Sequence, residues 1–196
     1  LEAERNFTSN AAHEMRTPIA AALAQSQRLV AELADRPTAE RARLVEAELQ
    51  RLSRLSEKLM QLARADGGSL IAPPQDMVPV LQAVVDDFRR AGNDHRLIMT
   101  LPDDGTASLA LDADAFGILA RNLIENALRH GDTDGMVQIE LHADGGLSVT
   151  NPGPVVASRM LTRLTERFTR AGGNAEGSGL GLAIADTIAR ACGATL

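Results

Sequence analysis

"FGILARNLIENALRHG", residues 116–131, sets the architecture of what surrounds it. Phe116, Leu119, Leu123 and Ala127 recur at helical spacing, so the segment reads as an amphipathic helix that must be covered along one stripe. Asp112 is placed to cap its start and Gly131 to end it. Asn122, Asn126, Arg129 and His130 fall on another face, at steps of four, three and four, and are neighbours along it. An amide oxygen can coordinate Mg²⁺, and a guanidinium or imidazole can meet phosphate oxygens, so this stripe suits a metal–phosphate ligand. A solvated polar face is the equally ordinary outcome of the same pattern.

The elements that must cover this helix lie on both sides of it. Asp76 is positioned to cap a helix running to about Arg90, with Pro79 tolerated in the first turn. "HRLIMTL" (95–101) and "ASLAL" (107–111) read as strands. "MVQIELHA" and "LSVTN" alternate around "DGG", a hairpin signal. A loop-rich stretch from Pro152 to Gly177 leads into "SGLGLAIADTIARAC", a helix closed by Gly193. The pattern predicts an α/β sandwich, with helices on one face of a largely antiparallel sheet. "GATL" reads as the start of another strand, so the sheet is expected to lack its last strands within this chain.

Upstream the rhythm is different. Residues 1–33 are rich in good helix formers; "ADRPTAE" interrupts them, and Thr38 is a candidate N-cap for a second helix over about 38–65. Val45, Leu52 and Leu59 lie seven apart, with Leu55 and Leu62 three after the last two, the seam of a bundle. Two helices bury only one face against each other, so a second copy is expected to complete a dimeric four-helix bundle. "ADGGSLIAPPQD" (65–76) marks the boundary. The expected organisation is a helical hairpin over 1–66, a linker over 67–75 and an α/β domain over 76–196.

Bulk properties narrow the function classes. Of 196 residues, 44% are hydrophobic and 23% charged, with a net charge of -6, which argues against a general nucleic-acid-binding role. An anionic ligand must therefore be held by backbone amides or a few placed cations. Cys192 is the only cysteine, so there is no disulfide framework and no cysteine metal cluster; it reads as core, and the reducing cytosol is the natural compartment. No apolar run approaches the ~20 residues needed to span a bilayer, and no signal peptide is visible. With no Trp and no Tyr, a nucleobase pocket would need aliphatic walls.

Three further stretches carry chemistry. In "GSGLGL" (177–182), Gly177, Gly179 and Gly181 let backbone approach a ligand, and the following helix adds N-terminal positive partial charge. It lacks the spacing of a dinucleotide fingerprint and the Gly-Lys-Ser/Thr of a P-loop; alone, it reads equally as a flexible cap. In "VTNPGPV" (149–155), Asn151 offers an amide to a purine edge and Gly153 lets the chain turn beneath a ring, although an ordinary Asn-Pro turn looks the same. "AAHEMRTPIA" (11–20) sets His13 beside Glu14 and follows them with Pro18. A zinc protease would need a second histidine at position 17, which is threonine. Pro18 deprives the residue 14 carbonyl of its helical partner, so a bend is expected one turn past His13. His95 and His142 receive no role.

Taken in order, these stretches resemble the sensor histidine kinases of two-component systems. "FTSNAAHEMRTPIA" is similar to their H box, "NLIENALRHG" to the N box, "NPGP" to the first glycine box, "LTERFTR" (164–170) to the F box and "GSGLGL" to the second glycine box. Five boxes in the family's order, behind a helical hairpin, cover nearly the whole chain.

The resemblance implies that His13 accepts the phosphoryl group of ATP, that Glu14 orients and deprotonates its ring, and that Thr17 positions water in a phosphatase step. It implies a nucleotide site of Asn122, Asn126, Arg129, His130, Asn151, Gly153, Arg167 and Phe168 with Gly177, Ser178, Gly179, Leu180 and Gly181, and Mg²⁺ on Asn126. Residues from about 154 to 176 would form a lid. It further implies a homodimer, a response-regulator receiver domain as partner, and the cytoplasmic portion of an inner-membrane sensor whose anchor precedes Leu1. The alternative is a nucleotide-binding dimerisation module without phosphotransfer.

The chain departs from the pattern in informative places. Asn151 stands where an aspartate is usual, which implies altered nucleotide affinity, and Thr165 and Thr169 stand where aromatics are common, which implies a loosely packed lid. Asn122 stands where water-activating relatives of the fold carry glutamate, which favours transfer to an amino acid over hydrolysis.

Overall fold

The computed structural model of the protein describes residues 19–31, 37–67, 70–161, 163–169 and 178–196. The chain divides into two units, Leu1–Gly67 and Gly68–Leu196. His13, Glu14, Thr17, Pro18 and Gly177 lie outside the described residues. Among the described residues no helix is long and apolar enough to cross a membrane.

The first unit is a hairpin of helix α1 (19–31) and helix α2 (Pro37–Gly67). Pro37 opens α2, where its missing N–H costs nothing, so Thr38 lies inside the first turn rather than ahead of it as a cap. The two helices are tied where the buried Ser26 hydroxyl donates to the Ala42 carbonyl at 3.2 Å. The predicted seam is divided. Leu62 is buried and Leu55 and Leu59 are half-buried, whereas Val45 is 55% and Leu52 45% exposed in the single chain.

In the second unit, strands β1 (Gln75–Asp76) and β3 (Ser108–Leu109) form a short antiparallel ribbon. Between them run helix α3 (Val78–Phe88), a wide π turn (Arg89–Asn93), a 3₁₀ turn (Asp94–Arg96) and strand β2 (Leu97–Thr100). Helix α4 (Ala113–His130), strands β4 (Val137–Leu141) and β5 (Leu147–Thr150), the one-turn helix α5 (Ser158–Leu161) and helix α6 (Gly181–Ala191) follow.

The main sheet has the order β2-β4-β5, with β2 parallel and β5 antiparallel to β4. It is therefore mixed: α4 lies in the connection from β2 to β4, and such a crossover returns the chain in the same direction. The "ASLAL" segment contributes only Ser108 and Leu109, and these pair with Gln75 and Asp76 outside the main sheet.

Leu97, Val137, Ile139 and Leu141 point inward and alternate with the exposed Ile98 and Gln138. Against them lies a helical layer in which α4 touches α3, α6 and both β4 and β5. Met77, Leu81, Val85, Ala120, Ile124, Leu180, Ile184 and Ala185 are fully or almost fully buried within this core. The covered stripe of α4 is wider than Phe116, Leu119 and Ala127, because Ala120 and Ile124 join it while Leu123 is only half-buried.

Local signals explain the ends of these elements. The Asp112 carboxylate accepts from the Ala115 amide at 3.0 Å and caps α4. Asp76 does not cap α3, whose N-cap is Met77; its carboxylate instead accepts from the Val78 and Ala107 amides and pins the helix to the ribbon. Gly193, at φ 79°, ends α6 with paired bonds from Gly193 N–H to the Arg190 carbonyl and Ala194 N–H to the Ala189 carbonyl. Helix α6 starts at Gly181, three residues later than its sequence suggests, because Gly179 adopts φ 68°. Outside the core, Arg121 and then Arg90 hold the Asp87 carboxyl below its ordinary pKa by hydrogen bonding, and Arg121 lies 5.4 Å over the Phe88 ring, so α3 and α4 are clasped at the surface.

Removing the α4 cap gives a direct check. Asp112→Ala should lower stability by about 1 kcal/mol, read as a shift in the urea midpoint with an unchanged slope. An unchanged midpoint would mean that the carboxylate does not hold the helix start.

Candidate nucleotide site

Helix α4 brings the sequence-predicted residues to two neighbours, the start of α6 and the Asn151–Gly153 corner. Asn122 is not on a solvated stripe: it is 1% exposed, and its Nδ2 donates to the Ile118 carbonyl at 2.7 Å. Its Oδ1 faces Gly181, where an added Cβ would sit 3.3 Å away. The first residue of α6 therefore lies against the middle of α4, with a buried amide at the contact. One turn on, Asn126 is half-buried, and Arg129 and His130 are exposed at the helix end.

The end of α4 meets the first glycine stretch. An added Cβ at Gly153 would lie 3.1 Å from the His130 carbonyl oxygen and 3.4 Å from Gly131 Cα. At Gly131 it would lie 3.1 Å from the Asn151 side chain. The Asp132 amide donates to the Pro152 carbonyl at 2.9 Å, and Asn151 Nδ2 donates to the same oxygen at 3.2 Å. Asn151 thus uses its amide hydrogen within the corner, which leaves its oxygen as the atom able to accept. A carboxylate could not make that internal bond, a difference from aspartate beyond charge alone.

The second glycine stretch meets the segment similar to the F box. Phe168 N–H donates to the Gly179 carbonyl at 2.9 Å, and a Cβ at Gly179 would lie 2.8–2.9 Å from the Phe168 and Thr169 backbone. Phe168 itself has φ 63° and is 61% exposed; Arg167 is also exposed, and Thr165 and Thr169 are half-buried. Ser178 Oγ accepts from the Leu180 amide at 3.3 Å, and Leu180 is fully buried as the N-cap of α6, with no side-chain cap bond. Leu180, as N-cap, offers no side-chain acceptor to the first-turn amides of α6, and a helix start of that kind suits an anion.

These contacts bring together the N-box, first-glycine, F-box and second-glycine stretches of the second unit. Arg96, which motif reading passes over, also reaches this region. Its guanidinium donates to the carbonyls of Asp132 (2.8 Å), Gly135 (3.2 Å) and Leu128 (3.5 Å). No motif marks it, because its partners are main-chain oxygens.

The donor set fits a magnesium-bound nucleotide. Among the described residues no group of three or more His, Cys, Asp or Glu could hold a metal by itself. Mg²⁺ commonly takes one or two protein oxygens and completes its shell with phosphates and water, and a single amide such as that of Asn126 suits that arrangement.

Comparison with known proteins places this geometry in a family. Residues 3–68 match the His Kinase A (phospho-acceptor) domain, and residues 111–196 match the histidine kinase-, DNA gyrase B-, and HSP90-like ATPase domain. The chain belongs to the sensor histidine kinases of two-component systems. It is 36% identical to the sensor protein QseC of Salmonella typhi, over 98% of this chain and 44% of that protein. It is 33% identical to the sensor protein kinase PmrB of Pseudomonas aeruginosa, over 96% of this chain and 41% of that protein. The chain thus spans less than half the length of these relatives. Among solved structures, the mycobacterial sensor histidine kinase MprB matches with a TM-score of 0.54 and 26% identity, over 63% of this chain and 81% of that one. ShkA shares the fold with a TM-score of 0.70 and 22% identity, over 95% of this chain and 41% of that one.

The contact between the F-box segment and Gly179 can be tested directly. Gly179→Ala forces a left-handed alanine, costing about 1–2 kcal/mol, into the Phe168 backbone. Hydrogen exchange at the Phe168 amide should accelerate by about tenfold. Unchanged exchange would show that the segment does not rest on Gly179.

Proposed function

We propose that this chain is the catalytic region of a sensor kinase that phosphorylates its own His13 from Mg-ATP and passes the phosphoryl group to an aspartate of a response-regulator receiver domain. One observation in the structure carries this reading. The α4 helix bearing Asn126, the Asn151–Gly153 corner and the start of α6 belong to one packed unit, and Gly131, Gly153 and Gly181 let their backbones meet at contacts that would crowd a Cβ. That is the construction expected where backbone must approach a nucleotide.

The roles follow from position. Asn151 Oδ1 accepts from the base amino group, and His130 and Arg129 lie beside the nucleotide at the end of α4. Gly177, Ser178, Gly179, Leu180 and Gly181 present amides to the phosphates, and Arg167 and Phe168 lie at the edge of the lid. Asn126 holds Mg²⁺, which when bound neutralises charge on the phosphate oxygens. Asn122, with its amide tied to the Ile118 carbonyl, supplies no carboxylate to activate water, so hydrolysis should be slow. Glu14 accepts the proton from one ring nitrogen of His13, and the other nitrogen attacks the γ-phosphorus as the bond to ADP breaks. Thr17 positions water for dephosphorylation of the regulator, a second activity of the same helix.

The reading includes a homodimer. Leu44, Val45 and Leu52 are 68%, 55% and 45% exposed on α2 in the single chain, and a second hairpin would cover them. The reading also takes the chain as the cytoplasmic portion of an inner-membrane sensor.

The test is incubation with γ-labelled ATP and Mg²⁺. Acid-labile, base-stable label should appear on the chain and vanish in His13→Gln. Asn126→Ala should lower labelling by about 100-fold or more, the scale of losing a metal-positioning group. Nucleotide binding with no label under any condition would leave the binding module and remove the kinase.

A further inference from the structure

We propose that Arg96 is a positioning residue for the base-binding end of the nucleotide site, acting on Asn151 through the peptide of Asp132. The proposal rests on the reading above, in which Asn151 meets the base.

Arg96 is half-buried at the end of the 3₁₀ turn that enters β2. Its guanidinium spreads over three carbonyls: Leu128 in the last turn of α4, and Asp132 and Gly135 in the loop that follows. The last carbonyls of a helix have no partners within it and carry its negative end, so a fixed cation there has favourable charge as well as hydrogen bonds. The planar fork of arginine presents three separate nitrogens to three diverging acceptors, whereas the three hydrogens of a lysine ammonium radiate from one atom.

The other side of the same loop faces Asn151. Asp132 uses both halves of its backbone: its carbonyl accepts from Arg96 at 2.8 Å, and its amide donates to the Pro152 carbonyl at 2.9 Å. That Pro152 oxygen also accepts from Asn151 Nδ2, so Arg96 is two residues removed from the side chain that faces the base. Gly131 and Gly135 of this loop abut Asn151 and Pro152, and an added Cβ at Gly135 would come within 2.5 Å of the Pro152 ring. The loop is a thin wedge between the guanidinium and the Asn-Pro corner. Releasing it from Arg96 frees the Asp132 peptide to turn, and Asn151 then loses the partner that fixes which of its amide atoms points outward. The phosphate end at Gly179–Gly181 makes none of these contacts with Arg96.

The experiment separates the two ends of the site in the full 196-residue chain by calorimetric titration with Mg-ADP and with Mg-tripolyphosphate, which has phosphates and no base. Arg96→Gln should weaken ADP by about tenfold, the scale of one charge-assisted hydrogen bond, and leave tripolyphosphate unchanged. Arg96→Lys keeps the charge and should give a smaller loss in the same direction; it decides the matter if the glutamine variant does not fold. Equal losses for ADP and tripolyphosphate, or no loss for either, would overturn the proposal. A wild-type chain that binds neither ligand would overturn the nucleotide reading itself, and this inference with it.

Discussion

How closely α6 can approach α4 is set at Gly181, because the atom it faces is not a hydrocarbon but the Oδ1 of a buried asparagine. A buried amide is tolerated only when its polar atoms are partnered, and Asn122 begins to meet that condition inside its own helix, through the Ile118 carbonyl. The start of α6 therefore sits at a depth fixed by a polar contact and a missing side chain together. In the proposed nucleotide reading, it is from that depth that the first-turn amides of α6 meet the phosphates. The left-handed Gly179 serves the same end by stopping the helix from starting earlier.

Features written in consecutive residues were the legible ones. The Asp112 cap, the "DGG" turn of the β4–β5 hairpin and the Gly193 closure each depend on partners a few positions away, and each stands in the structure. The order of the glycine and asparagine boxes was legible for the same reason. Features needing a distant partner were not. Asn122 shares helical spacing with Asn126, so only the arrival of α6 distinguishes a buried contact from a solvated one. Alternation marks Leu97–Thr100 as a strand but carries no direction, and its parallel pairing with β4 had to come from the crossover. Asp76 has the right chemistry for a cap, but the ribbon places its carboxylate one residue too early and gives it a second amide to bind.

Much of the Asn151–Gly153 corner, proposed to meet the base, is made from main-chain groups: the carbonyls of His130, Asp132 and Pro152, and the amide of Asp132. Side chains there act mainly by aligning the backbone, and glycines act by leaving it room. This explains how the corner accepts Asn151 where the family usually has aspartate. An amide hydrogen that a carboxylate lacks is spent on the Pro152 carbonyl, inside the corner, and the side-chain oxygen that remains is an acceptor in either case.

The mixed sheet also bears on how the second unit assembles. Leu97 pairs with Val137, and the chain between them includes the ribbon strand β3 and all of α4. The β4–β5 hairpin can close through a short turn, but β2 cannot dock until that long intervening segment has folded back, and closing it costs entropy before its contacts form. The helix that carries Asn122 and Asn126 is thus also the crossover that completes the sheet. In kinetic terms, substitutions in the core face of α4, such as Ile124→Val, should slow refolding, whereas those in β2 should mainly speed unfolding; the reverse pattern of rates would place β2 in the nucleus.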